Sequence, residues 1–285
     1  MISPKKSTRN VQIQRFRDGR AGGRRDVVTV EEPLEIRIEV AENGGRVEHA
    51  VAVTMRTPGD DFELAAGFLF TEGILADRAD VSDLRYCRDA EPQEYNIVSV
   101  RLRDPGAFDE SLLTRNFYTT SSCGVCGKAS LEAVEVRGCA PLPDGGPTVS
   151  PEVVCAIPET IRASQSVFDR TGGIHAAGLF DERGGLQLLR EDIGRHNAVD
   201  KVIGHAFLEG GLPLSAHFLA VSGRSSFEII QKALAAGIPM VAAVGAPSSL
   251  AVDLARRFNM TLVGFAKPDG FNVYTGGERI AAPPP

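Results

Sequence analysis

The sequence predicts an α/β protein: a β-rich N-terminal region followed by a layered sheet with helices on its faces. Residues 34–40 alternate strictly between apolar and polar side chains, which is typical of a strand with one buried face. From residue 158 onwards, short apolar segments alternate with amphipathic segments of helical period. Strands and helices joined by short loops in this order favour a parallel sheet covered by helices.

The β-rich region is predicted over residues 26–104. Residues 34–40 and 47–55 alternate on both sides of Asn43-Gly44, a strong hairpin signal. Asp60 or Asp61 can cap a helix that ends at Gly73. Residues 95–102 read as a further strand. We therefore expect a small sheet with one helix.

The first 25 residues differ from the rest of the chain in charge. They carry many basic side chains, and we expect a solvated, disordered arm. The basic residues are Lys5, Lys6, Arg9, Arg15, Arg17, Arg20, Arg24 and Arg25.

The α/β region is predicted over residues 105–285. Pro158 suits the first position of a helix, and residues 199–207 carry an apolar helical stripe. Strands are expected at residues 175–180, 186–189, 217–221, 240–244 and 261–265. Ser225 and Glu228 have the spacing of a capping box, and Ser248 or Ser249 can cap the next helix.

Composition limits the classes of function. The 285 residues carry a formal net charge of −6, which argues against a general nucleic-acid coat. The sequence shows neither the apolar core of a secretory signal nor an apolar stretch of about 20 residues that could span a bilayer. We therefore expect a cytoplasmic protein without nucleic-acid or membrane partners.

The segment Cys123-Gly124-Val125-Cys126 carries the most specific chemistry. The flanking Ser and Thr residues and Lys128 would stabilise a thiolate, the reactive form of cysteine. Four interpretations remain open: a sulfur-carrying nucleophile, a structural zinc site, a thioredoxin-type redox pair and two inert cysteines. Zinc needs about four ligands and only one such pair exists, so no metal is expected.

A second candidate site follows three predicted strands. The segments 222–226, 245–249 and 267–270 meet at the carboxyl edge of a parallel sheet, where ligands bind in open α/β folds. Two of them precede helices, and Arg224 offers a fork suited to phosphate. The alternative is that these residues only cap helices and form turns. The charged segment 190–197 reads either as a solvated ion-pair network or as a wall of this site, with His196 handling protons.

Together these residues resemble the formate dehydrogenase accessory sulfurtransferase family, FdhD/NarQ. The matching stretches are residues 58–69, 122–127, 171–177, 190–201, 222–228, 246–255 and 262–266.

The resemblance implies a fold similar to that of cytidine deaminases. It also implies that the protein takes sulfur from a cysteine desulfurase and delivers it to the bis-molybdopterin guanine dinucleotide cofactor of formate dehydrogenase. Cys123 would hold the persulfide and Cys126 would assist, and a homodimer is common in the family. Contact with the guanine nucleotide end of the cofactor is implied for Phe265, Ala266, Lys267, Pro268, Asp269 and Gly270.

Two other classes of protein remain as alternatives. A zinc-dependent deaminase needs a glutamate two residues after its histidine, but Ala177 stands there after His175. A chaperone could bind the cofactor without carrying sulfur, and persulfide labelling of the cysteine pair would distinguish it from a sulfurtransferase.

Overall fold

The computed structural model describes residues 5–42, 45–87, 92–104 and 140–282. These residues form a two-stranded ribbon, a four-stranded sheet and a six-stranded sheet. The strands are β1 (Thr8–Arg17), β2 (Arg20–Thr29), β3 (Glu32–Glu42), β4 (Gly45–Arg56), β5 (Val81–Tyr86), β6 (Ile97–Leu102), β7 (His175–Phe180), β8 (Leu186–Asp192), β9 (Phe218–Val221), β10 (Met240–Ala243), β11 (Thr261–Lys267) and β12 (Gly270–Thr275).

Six α-helices accompany these strands in the described part of the chain. They are α1 (Asp61–Thr71), α2 (Pro151–Ser164), α3 (Ser166–Thr171), α4 (Arg195–Leu208), α5 (Phe227–Ala235) and α6 (Ser249–Arg257). None of these helices combines the length and the apolar character needed to cross a membrane.

The four-stranded sheet has the order β4-β3-β6-β5 and is covered by α1 on one face. The alternation in β3 buries Leu34, Ile36 and Ile38, which join Leu64 and Leu69 of α1 in one apolar core. β3 and β4 pair antiparallel down to the last pair before the turn, Glu42 with Gly45, as the hairpin signal predicts.

The six-stranded sheet has the order β12-β11-β10-β9-β7-β8, in which β9, β10 and β11 run parallel. Successive side chains of these short strands point to opposite faces. Leu219 and Val221 belong to the apolar core formed with α4, α5 and α6, whereas Phe218 and Ala220 belong to the core formed with α2. Because both faces are covered by helices, only the strand ends remain for contact with ligands.

The two large sheets are joined where α1 crosses α4. A Cβ atom built on Gly67 would lie 1.9 Å from the carbonyl oxygen of Asp200, and one on Gly204 would lie 1.8 Å from that of Glu63. The two backbones are therefore in direct contact, and any side chain at either glycine would push the helices apart.

The predicted fold class is confirmed: the protein has a layered α/β sheet with helices on its faces and a β-rich N-terminal region. The prediction of a disordered arm was wrong for most of its length, because β1 and β2 pair from Thr8 to Thr29. Regular backbone pairing forms this hairpin, although its side chains are mostly exposed and show little apolar periodicity. The assignment of residues 26–104 and 105–285 to separate regions stays a prediction.

Two helix starts also differ from the prediction. Ser150 caps α2 by accepting a hydrogen bond from the Val153 amide, so Pro158 lies inside the helix instead of at its first turn. At α5 the N-cap is Ser226, which makes no side-chain capping bond. The Ser225 side chain is buried instead, so the predicted capping box does not form.

Candidate functional site

The loops that follow β9, β10 and β11 lie side by side at the carboxyl edge of the six-stranded sheet. The Gly245 amide donates a 2.9 Å hydrogen bond to the Gly223 carbonyl, and the Phe265 amide donates one of 3.1 Å to the Gly245 carbonyl. The Ser248 amide bonds the Ser225 carbonyl at 3.0 Å. This backbone ladder holds the three loops as one surface.

Arg224 and the segment 265–270 therefore share one edge, on either side of the Gly245 loop. Arg224 is exposed, and its Cγ would lie 3.0 Å from a Cβ atom on Gly245. Phe265 has a φ of 55° and is 45% exposed, an uncommon backbone conformation for a large residue. Lys267 and Asp269 form an exposed ion pair of 3.2 Å in the turn before β12. Their contact with a nucleotide stays a prediction.

An arginine and a histidine complete this edge. Gly223 lies against both: a Cβ atom there would be 3.3 Å from His175 Nδ1 and 3.9 Å from Arg195 Cδ. The Arg195 Nε and the Ser225 Oγ are buried, and neither has a hydrogen-bond partner among the residues that the structure describes. Buried donors of this kind are normally satisfied, so they suit the oxygen atoms of a bound anion.

His196 lies at the start of α4 and faces α5. Its Nε2 is 2.9 Å from Ser226 Oγ and 3.8 Å from Glu228 Oε2. Burial, together with the charge of Arg195, lowers the pKa of His196 to about 4. Burial and Arg195 also lower the pKa of His175. Both imidazoles are therefore held neutral near pH 7, and each can accept a proton.

A cleft of about 890 Å³ opens beside these histidines. Its walls include His175, Ser222 and Val244 from the strand ends, and Arg162 and Gln165 from the end of α2. The volume falls within the range of roughly 300–1,000 Å³ that small-molecule sites occupy. The cleft reaches the loop edge at Ser222 and Val244, and the two together are the candidate site.

Two residues of segment 190–197, Asp192 and Asn197, are buried and anchor the segment to the rest of the protein. The Asp192 carboxylate is fully buried and lies 2.8 Å from Lys201 Nζ. It also accepts hydrogen bonds from the Thr57 amide at 3.2 Å and from Asn197 Nδ2 at 3.0 Å. The solvated ion-pair interpretation is therefore wrong for Asp192, whereas Arg195 lies beside Gly223 and His196 contacts Ser226 at the start of α5. Charge spacing in the sequence could not separate these roles.

Cys123, Cys126 and Lys128 lie outside the described residues, and so does Cys139. The chemistry predicted for the pair, including the absence of a metal, stays a prediction. Gln165 was not identified as a site residue from the sequence, and Arg195 was predicted only as part of the charged segment 190–197. The only signal for Gln165 was its proximity to the Gly172-Gly173 stretch, which lines the same cleft.

Comparison with known proteins relates the chain to one family over nearly its whole length. A model of the FdhD/NarQ family matches residues 29–281. The sulfur carrier protein FdhD of Streptomyces coelicolor is 52% identical over 278 residues, which cover 96% of each chain. The protein of that name from Mycobacterium tuberculosis is 54% identical over 265 residues, covering 90% of this chain and 92% of its own.

The fold is also similar to a solved structure. A protein from Desulfotalea psychrophila, described as a formate dehydrogenase accessory protein, superposes with a TM-score of 0.73 at 25% sequence identity. The superposition covers 97% of this chain and all of that one.

Proposed function

Because the chain belongs to the FdhD/NarQ family, we propose that it is a sulfur carrier that supports the maturation of formate dehydrogenase. The near-full-length match to proteins named as sulfur carriers is the observation that carries this proposal. Cys123 and Cys126 supply the chemistry in the chain itself, because a thiolate is the side chain best suited to accept a sulfur atom.

Sulfur uptake is a thiol exchange at Cys123. Its thiolate attacks the outer sulfur atom of a persulfide on a cysteine desulfurase, and the S–S bond of the donor breaks. The desulfurase cysteine leaves as a thiolate, and Cys123 now carries the persulfide. Oxidation states balance, because one sulfane sulfur atom moves between two thiolates.

Delivery gives the second cysteine a role. The Cys126 thiolate attacks Cys123 Sγ, forms a disulfide and expels the outer sulfur atom as hydrosulfide. The pair supplies the two electrons that reduce the sulfane sulfur, and a cellular thiol reductant then restores both thiols. The hydrosulfide is the form that a molybdenum centre can bind as a ligand.

The carboxyl edge of the six-stranded sheet has features that suit binding of the molecule that accepts the sulfur. We infer that the bis-molybdopterin guanine dinucleotide binds there as the substrate to be sulfurated. Arg224 is exposed at this edge, while Arg195 Nε and Ser225 Oγ beside it have no hydrogen-bond partner within the described ranges. The amino ends of α5 and α6 favour pyrophosphate through their helix dipoles. The segment 265–270 would contact a guanine base.

The proposal includes the partners that this chemistry needs. A cysteine desulfurase donates the sulfur and formate dehydrogenase receives the finished cofactor. We also propose that the protein acts in the cytoplasm as a homodimer.

Mass spectrometry after incubation with a cysteine desulfurase and cysteine tests the sulfur-carrier role. The wild-type protein should gain the mass of one sulfur atom, and Cys123→Ala should not. Cys126→Ala should still gain the sulfur atom but release it more slowly and support maturation only in part. Cys87→Ala is a matched control, because Cys87 is a partly buried cysteine remote from the pair in sequence and should leave loading unchanged.

The roles of the two cysteines would be reversed if Cys123→Ala gained sulfur and Cys126→Ala did not. If the wild-type protein gained no sulfur and both single variants supported full maturation, the protein would be a cofactor chaperone that carries no sulfur.

A further inference from the structure

The hairpin of β1 and β2 stands apart from the rest of the molecule. In the described part of the chain its strands pair only with each other, and its base touches α3 through a 2.8 Å hydrogen bond between Thr29 Oγ1 and Thr171 Oγ1. Residues 14–26 are all exposed. The match to the family model begins at residue 29, where this hairpin ends.

The pairing register separates the side chains of the hairpin into two unlike faces. Paired residues lie on the same face, and alternate residues lie on opposite faces. One face, here called the arginine face, carries five of its six arginines: Arg9, Arg15, Arg17, Arg20 and Arg24. The opposite face carries the sixth, Arg25, and a row of neutral polar side chains: Thr8, Asn10, Gln12 and Gln14.

The centre of the arginine face carries two apolar side chains of β1 and one exposed acidic residue, Asp26, which pairs with Val11. Val11 and Ile13 lie between Arg9 and Arg15 on β1 and are partly buried, whereas the arginines around them are exposed. Such a surface can bind carboxylates at its rim and aliphatic groups at its middle.

The charge of the hairpin is opposite to that of the remaining chain. Up to Thr29 there are eight basic and two acidic residues, which leaves 23 basic and 35 acidic residues in the rest. A cationic surface of about 30 Å in length therefore projects from an anionic body. We propose that the arginine face binds an acidic, extended segment of a partner protein.

Electrostatics favour a protein segment over a nucleic acid. A duplex carries phosphates well beyond the length of the hairpin, so its flanks would meet the anionic body. A protein segment can confine its carboxylates to the length of the arginine face. An anionic membrane is disfavoured because Phe16 is the one large exposed apolar side chain of the hairpin, and it lies on the opposite face.

The low intrinsic stability of the hairpin also favours an extended protein segment as its partner. Two-stranded ribbons bury little apolar surface and are marginally stable alone, and Gly22 and Gly23 contribute no side chains to this one. An added strand would pair with a free edge of β1 or β2 and bring opposite charges onto the arginine face. The segment and the hairpin would therefore order each other.

Binding of a defined acidic peptide to the full-length protein tests this proposal. The probe is a peptide of alternating Glu and Thr, which places every carboxylate on one side of an extended strand. The same peptide with Gln in place of Glu is the neutral control. Fluorescence anisotropy should show saturable binding of the acidic peptide, weakening as salt rises, and little binding of the neutral one.

Two hairpin variants with the same change in net charge make the test specific to one face. The triple variant Arg15→Gln, Arg17→Gln and Arg24→Gln removes three charges from the arginine face. The triple variant Asn10→Glu, Gln12→Glu and Gln14→Glu adds three negative charges to the opposite face. We expect the first to weaken binding by about tenfold or more, and the second by about threefold or less, because contact charges act more strongly than distant ones.

Equal weakening by the two variants would overturn the proposal, since it would show attraction by net charge alone. Tighter binding of a short DNA duplex, or of phosphatidylserine-containing vesicles, than of the acidic peptide would also overturn it in favour of those partners. Circular dichroism should show both variants folded, because every substituted side chain is exposed.

Discussion

The four-stranded and the six-stranded sheets place their polar residues differently. In the first, one face packs on α1 and the other carries ion pairs, such as Arg37 with Glu48 at 2.9 Å and Glu39 with Arg101 at 2.6 Å. In the second, helices cover both faces, and exposed polar side chains collect at the carboxyl ends of the strands. On a sheet with an open face, charged side chains can lie at most positions of that face. On a sheet covered on both faces, polar side chains that contact ligands are confined to the strand ends.

A third set of polar residues lies between the two sheets and is buried. Lys201 pairs with Asp192, and Lys232 pairs with Asp200 at 2.9 Å and bonds Thr71 Oγ1 at 2.9 Å. Burial raises the pKa of Asp200, with Lys232 acting against it. The comparison thus predicts that changes between the sheets alter stability and that changes at the edge alter binding.

The largest expected effect is on the buried pair. Lys201→Met removes the cation beside a fully buried carboxylate and should lower the free energy of unfolding by about 3–5 kcal/mol, measured by urea denaturation. Lys267→Met is the matched control: Lys267 is exposed at the edge, so the loss should stay within about 0.5 kcal/mol. A similarly small loss for Lys201→Met would show that the hydrogen bonds from Thr57, Gly194 and Asn197 satisfy Asp192 without the cation.

The helix crossing should be nearly as sensitive. Gly204→Ala places a methyl group against the Glu63 carbonyl and should cost about 3 kcal/mol through forced separation of α1 and α4. Gly22→Ala is the control, because a Cβ there meets no atom within 4 Å. If both variants unfolded at the same denaturant concentration, the two sheets would be less tightly joined than the contact indicates.

The sequence predicted the elements whose signals are local. Gly237 and Pro239 separate α5 from β10, and the Ser248 hydroxyl accepts a 3.2 Å hydrogen bond from the Ala251 amide as a cap should. β5 and β12 were missed because they are short and only partly apolar, and neighbouring strands define them.

The site was predictable only in part. That the loops after β9, β10 and β11 meet follows from the parallel order of the strands. The burial of Asp192 and Lys201 does not, because it depends on Thr57, which lies 135 residues before Asp192 in the chain. Partners so distant leave no periodic signal.

At the carboxyl edge of the six-stranded sheet, we expect substitutions to lower ligand affinity and leave the stability of the fold unchanged. Arg224→Ala should weaken binding of guanosine diphosphate by roughly 1.5–3 kcal/mol in calorimetry, the value of a charge-assisted hydrogen bond, with the unfolding midpoint unchanged. Arg183→Ala is the control, since Arg183 is an exposed arginine in the turn between β7 and β8, at the other end of the sheet. Absence of binding at millimolar concentration, or equal binding of adenosine diphosphate, would contradict a guanine site.

The smallest expected effect is the contribution of His196 to the pH dependence of stability. Because its pKa falls from about 6.5 in the unfolded chain to about 4 in the folded protein, the unfolded chain binds the proton first as the pH drops. The native state therefore loses stability between pH 6.5 and pH 4, by roughly 1 kcal/mol from pH 7 to pH 5 after allowance for partial exposure. His196→Gln should remove this part of the pH dependence of the unfolding free energy. Ser226→Ala removes the hydrogen-bond partner but keeps the imidazole, so it should retain the slope. If His196→Gln left the slope intact, the pH dependence would arise elsewhere, and His175, whose pKa burial also lowers, would be the next residue to substitute.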